Sequence, residues 1–182
     1  MIIRELQRHE IETIWSIDRS EVIDNIYYYE DGELVLRPEH YDMHGWPPDG
    51  GPADAPLFYA CYDRGGTFYG AFDDGDLVGV AVLEAEFIGR NEDQLQLMFM
   101  HVSQGYRGQG VGTTLFEMAA EKARALGARQ LYVSATPSEN TVHFYLGRGC
   151  VLADEVDPDL YEMEPEDIHL TYTIPPLGEG DA

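Results

Sequence analysis

The chain has 182 residues, 44% hydrophobic and 25% charged, which suits a globular fold with a real core rather than a disordered chain. Thirty-four acidic against 11 basic residues give a formal net charge of −23, a surface that repels phosphates and anionic lipid, so neither nucleic acid nor a membrane is expected as a partner. No apolar run approaches the ~20 residues needed to span a bilayer, and Met1-Ile2-Ile3-Arg4-Glu5 carries no signal-peptide core, so the expected location is the cytoplasm.

Lys122 is the only lysine, beside ten arginines. That balance resembles the surfaces of proteins from salt-loving organisms, where screening relieves self-repulsion. It also suits an acidic mouth that attracts a cationic, amine-bearing substrate. Cys61 and Cys150 lack CxxC spacing and a nearby histidine pair, so neither a zinc site nor a disulfide framework is indicated.

In chain order, residues 2–6 read as a short strand, and 10–17 place Ile11, Ile14, Trp15 and Ile17 at helical spacing. Two strand-like runs, 26–30 and 33–36, flank Asp31-Gly32, a strong hairpin signal because a type I′ turn needs positive φ at both central residues. Residues 37–56, rich in Pro, Gly, His and Trp, are expected as a long loop. His40 and His44 fit the i, i+4 spacing of a metal pair, but prolines 38, 47 and 48 oppose a helix that would present them together, and no metal is expected. Residues 57–62 form an apolar run of uncertain type. Strands at 67–72, 77–88 and 95–102 form an antiparallel meander, followed by a helix at 113–126 that Gly127 stops. A strand at 130–135, a helix at 140–147, an extended run at 150–152, an acidic Pro-punctuated stretch at 154–167, a last strand at 168–174 and a frayed tail at 175–182 complete one domain.

Between the third strand of the meander and its helix lies Gln104-Gly105-Tyr106-Arg107-Gly108-Gln109-Gly110-Val111-Gly112. A strand emptying through glycines into a helix N-terminus presents unpaired N–H groups in one direction, which suits a phosphate; it can also be a plain connecting turn. A P-loop is excluded because Val111-Gly112, not Lys-Ser/Thr, follows Gly110. The dinucleotide fingerprint is excluded because the spacing is GxGxG.

Arg107-x-x-Gly110-x-Gly112 resembles the pyrophosphate loop of the GCN5-related N-acetyltransferase (GNAT) superfamily. Residues 132–150, a strand, a polar turn, a helix bearing Phe144-Tyr145 and then a glycine, are similar to its second signature. The resemblance covers about 67–152 and implies an α/β fold with a mixed, mainly antiparallel central sheet flanked by helices, and an acetyl-CoA-dependent N-acetyltransferase. It implies that Arg107, Gly108, Gln109, Gly110, Val111, Gly112 and Thr113 hold the pyrophosphate, that Met100 and Val102 pair with the pantetheine through their backbone, and that Ser138 or Asn140 touches the cofactor. Tyr145 takes the position of the general acid.

Where relatives often carry a basic Glu, this chain has Gln96 and Met98. Glu84, Glu86 and His101 are the candidates that remain for a general base. Tyr28, Tyr41 and Trp46 are the candidates for holding a small cationic amine, by cation–π contact. A protein or peptide N-terminus is an alternative acceptor, a catalytically silent acyl-CoA-binding sensor an alternative role, and a homodimer an allowed assembly.

Overall fold

A computed structural model describes residues 1–47 and 50–176. Among the described residues seven strands share one sheet: β1 (Ile2–Glu5), β4 (Thr67–Asp73), β5 (Asp76–Ile88), β6 (Gln94–Val102), β7 (Gln130–Ala135), β8 (Val151–Leu152) and β9 (Ile168–Thr173), in the order β1-β4-β5-β6-β7-β9-β8. Only β6 and β7 run parallel. β2 (Glu21–Glu30) and β3 (Glu33–Met43) form a separate ribbon, and the helices are α1 (Ala55–Asp63), α2 (Val111–Ala125), α3 (Glu139–Leu146) and α4 (Pro158–Met163). The sheet is therefore mixed and mainly antiparallel with flanking helices, as expected.

Side-chain alternation along β5 divides the core. Ala81 and Leu83 pack into the layer holding Leu115 and Phe116 of α2, and Val80 and Val82 into the layer holding Phe58 of α1 with Ile11 and Ile14. The Asp31-Gly32 turn takes the geometry its sequence demands, with φ of +51° and +88°, and a second Asp-Gly turn joining β4 to β5 does the same, with +49° and +97° at Asp74 and Gly75.

Four segments depart from the expected pattern. The ribbon is longer than the hydrophobic runs suggest, because β3 continues to Met43 and carries His40 and Tyr41 on a strand rather than in a loop. Pro38 is tolerated there because it sits beside a bulge between Ile23 and Asn25 in a two-stranded ribbon. Residues 8–16 form a 3-10 helix, and 55–63 resolve into α1. Within the acidic stretch, α4 starts where Asp157 Oδ1 accepts from the N–H groups of Asp159 and Leu160, both at 3.1 Å, with Pro158 at the first helical position. Pro48 and Asp49 of the Trp-Pro loop, and 177–182 of the expected tail, lie outside the described residues.

One irregularity creates the site. β6 and β7 pair only over Gln94–Gln96 with Gln130–Tyr132. Opposite β5, the register jumps between Val82 and Leu83, leaving Met98 as an extra residue in β6, and jumps again between Leu83 and Phe87. Bulges bend the strands that carry them. Beyond Gln96 the β6 edge that faced β7 has no strand partner among the described residues, and a cleft opens between the two strands.

Candidate active site

The cleft has a volume of about 1130 Å³ and runs from the glycine loop past the free edge of β6 to α4. At the loop end, Gly108 and Gly110 have φ of +72° and +86°, and a Cβ built on either meets nothing within 4 Å. The space above the N-terminus of α2 is therefore open, and its first N–H groups are free to meet an anion. At Gly112 a Cβ would lie 3.1 Å from the Phe144 ring, so this glycine lets α3 approach α2 closely. Val111 is buried in the core, and Gln109 Nε2 donates back to the Gly105 carbonyl at 2.9 Å.

Arg107 lines the cleft, with Nε donating to the Val102 carbonyl at 3.0 Å and Nη1 3.6 Å from the Glu21 carboxylate. Asn140 Nδ2 donates to the same carboxylate at 3.0 Å, so Glu21 of β2 ties the ribbon to both the loop and α3. The Thr113 hydroxyl accepts from Arg148, whose guanidinium lies 3.4 Å over the Phe144 ring and whose Nε is buried without a partner among the described residues. Nothing in the sequence had marked this second cation beside the start of α2. Met100 and Val102 sit on the free strand edge and line the cleft.

Ser138 does not reach the cleft. It is buried as the N-cap of α3, accepting from Thr141 N at 3.3 Å and donating to Thr141 Oγ1 at 2.9 Å. Ser138→Ala is expected to cost about 1 kcal/mol in urea unfolding without changing the affinity for acetyl-CoA.

Tyr145 projects from α3 onto the cleft wall, 6% exposed, with Phe116 and Phe144 against its ring. Burial holds its phenol well above the usual range, so it carries its proton at neutral pH. Glu84 and Glu86 both line the far half of the cleft. Glu84 is buried with one oxygen held by Arg64 and the other by its neighbour's N–H at 3.2 Å, while Glu86 is largely exposed, 3.6 Å from the same arginine. His101 is held neutral, its pKa pushed down by burial and then by Arg19 and Arg107.

The aromatic residues proposed to bind the acceptor are not brought together. Tyr28 and Tyr41 both donate to Glu39 on the ribbon, away from the cleft wall. Trp46 stands behind the wall: its ring stacks on Phe99 at 5.9 Å, its Nε1 donates to the Ile17 carbonyl at 3.0 Å, and Arg19 covers it at 4.7 Å.

Residues 28–149 match the profile described as the Acetyltransferase (GNAT) family. The chain belongs to this family. A streptothricin acetyltransferase of Streptomyces lavendulae is 31% identical over 127 residues, 61% of this chain; the match spans 65% of that relative's length. The crystal structure of nourseothricin acetyltransferase superposes with a TM-score of 0.72 at 24% identity, covering 96% of this chain and 98% of that one. A Bacillus anthracis str. Ames protein assigned as a streptothricin acetyltransferase, solved with acetyl coenzyme A, gives 0.67 at 17% identity over 93% and 95% of the two chains. At these identities the two structures speak for the GNAT fold alone.

Within this GNAT chain the far half of the cleft is acidic in a way the sequence could not localise. Glu84 and Glu86 come from β5, Asp157 and Asp159 from the start of α4, and Glu164 and Asp167 from the approach to β9, with Arg64 the cation among them. The two halves thus differ in charge balance: at the loop end Arg19 and Arg107 are matched by Glu21 and Asp54 beside free N–H groups, while at the other end six carboxylates face Arg64.

Proposed function

We propose that this GNAT chain transfers the acetyl group of acetyl-CoA to a primary amine of a small cationic acceptor, by direct attack with both substrates bound in the cleft. The observation that carries this is the polarity of the cleft. Its glycine-loop end suits a pyrophosphate, its bare β6 edge suits the amides of a pantetheine arm by strand addition, and its carboxylate end suits an ammonium. The similarity to streptothricin acetyltransferase supports a streptothricin as the first acceptor to try.

Acetyl-CoA supplies an acyl carbon activated as a thioester. The chain's own groups do the rest. Loop N–H groups and Arg107 fix the phosphates, the β6 edge orients the thioester at the Met98 bulge, and the phenol of Tyr145 gives its proton to the departing sulfur. His101, the one histidine lining the cleft among the described residues, is weakened as a base by burial and then by Arg19 and Arg107.

The test is release of free thiol from acetyl-CoA with streptothricin, aminoglycosides, polyamines, amino acids and peptides as acceptors. Turnover is expected with the polycationic compounds and not with neutral peptides. Tight binding of acetyl-CoA with no acceptor-dependent thiol would make the chain a sensor instead.

A further inference from the structure

We infer that Asp167 is the group that takes the proton an acceptor ammonium must lose before attack. This rests on the acetyltransferase function proposed above and names the base that the sequence leaves open.

Position comes first. Asp167 immediately precedes β9, whose Ile168 and His169 pair with Ala135 and Ser134 of β7 at the point where β7 has parted from β6. Asp167, Ser134, Ala135 and Tyr145 all line the cleft, and Asp167 lies near enough to Tyr145 for its charge to act on the phenol. Ser134 Oγ donates to Asp167 Oδ2 at 2.9 Å, and no other side-chain hydrogen bond holds Asp167 among the described residues. One oxygen is therefore anchored and the other is left for a ligand.

Elimination comes second. Both oxygens of Glu84 are engaged by Arg64 and the Ala85 N–H, and Glu86 is largely exposed. Asp157 is the cap of α4, and Asp159 and Glu164 are exposed. Asp157 and Asp54 are also half-buried with one oxygen uncommitted, but Asp157 is taken up in capping α4 and Asp54 holds the Gly51 N–H near Arg19. Asp167, by contrast, stands where β7 leaves β6, close enough to Tyr145 for its charge to act on the phenol. Burial, with Glu164 and Glu166 adding to it and Ser134 opposing it, pushes its pKa up to about 6. The groups acting on it are Ser134 of β7, Tyr145 of α3, and Glu164 and Glu166 in the preceding turn; His169 and Tyr132, two residues along β9 and β7 from Asp167 and Ser134, lie on the same face of the sheet, and Asp159 of α4 lines the same cleft.

The proton count closes. The Asp167 carboxylate takes one proton from R–NH₃⁺; the freed amine forms the C–N bond as the C–S bond breaks. The Tyr145 proton goes to sulfur and is replaced by the one the new amide nitrogen sheds, and Asp167 returns its proton to water.

The experiment is kcat/KM for the amine from pH 5 to 9 in the parent, Asp167→Asn, Asp167→Glu and Ser134→Ala, with acetyl-CoA affinity and melting temperature measured alongside. The parent should gain activity as pH rises through about 6. Asp167→Asn should lose about 50-fold at pH 7 and the limb near 6, keep its acetyl-CoA affinity, and melt no lower than the parent, since a carboxylate penalised by burial has gone. Ser134→Ala should move the limb to higher pH, because its hydrogen bond favours the ionised form. Asp167→Glu should restore part of the rate. Asp167→Asn within about threefold of the parent, or with its limb intact, overturns the assignment alone. A parent that turns over no amine overturns the acetyltransferase function and this assignment with it. If Asp167→Asn fails to fold, a folded Asp167→Glu without the limb also overturns it.

Discussion

Replacing Tyr145 by phenylalanine is expected to lower kcat by about 10³-fold while leaving acetyl-CoA affinity within about twofold. The substitution removes one oxygen from a ring already packed between Phe116 and Phe144, so the core keeps its shape. What disappears is a proton held by burial at neutral pH, on the group proposed to serve the leaving sulfur. A thiolate can leave without help, but more slowly, and the loss falls on the step in which the C–S bond breaks. For that reason kcat should carry the loss and not KM. Saturating thiol-release kinetics decide it: a kcat within about threefold of the parent would make Tyr145 a core tyrosine with no part in the chemistry.

The parts of the fold that were legible in the sequence are those where local chemistry leaves one option. Asp31-Gly32 and Asp74-Gly75 favour a turn at positive φ, and the partly β-branched and aromatic run from Gln130 to Ala135 reads as a strand, which the structure buries. The ribbon was underestimated because a two-stranded sheet exposes both faces and so does not alternate: Glu39, His40, Tyr41 and Asp42 are polar or exposed, yet extended. α4 hid in an acidic stretch although its start signal, Asp157-Pro158, was in view.

The site divides in the same way. The glycine loop and Tyr145 lie in short motifs whose neighbours along the chain fix their geometry, and both reach the cleft. Hydroxyls were harder to read. Ser138 is occupied in capping its own helix on Thr141, and Thr113 accepts from Arg148 just beyond α3, a partner 35 residues away along the chain. Which of 34 acids would face an acceptor depends on how the approach to β9 lies against β7, a contact with no local signal. Tyr28 and Tyr41 had the right chemistry for a cation but are satisfied by Glu39.

Gly110→Val is expected to reduce kcat/KM for acetyl-CoA by about 10²–10³-fold, chiefly through KM. Two costs combine. At φ +86° a β-branched residue is strained by about 1–3 kcal/mol, which tends to pull the backbone out of the shape that aims the first N–H groups of α2 at an anion. Its side chain also fills the open space that a Cβ at this position would enter, where the pyrophosphate is proposed to sit. Gly127 provides the internal control. It lies at the other end of the same helix with φ of +99° and equally open space around its Cβ. Gly127→Val carries the same backbone strain with no ligand nearby, so it should lose comparable stability in urea unfolding and leave the acetyl-CoA KM unchanged. If the two variants raised KM alike, the effect would be loosening of α2; if neither did, the loop would be a connecting turn and the phosphates would have to be held elsewhere. A rise confined to Gly110→Val ties this backbone conformation to donor binding.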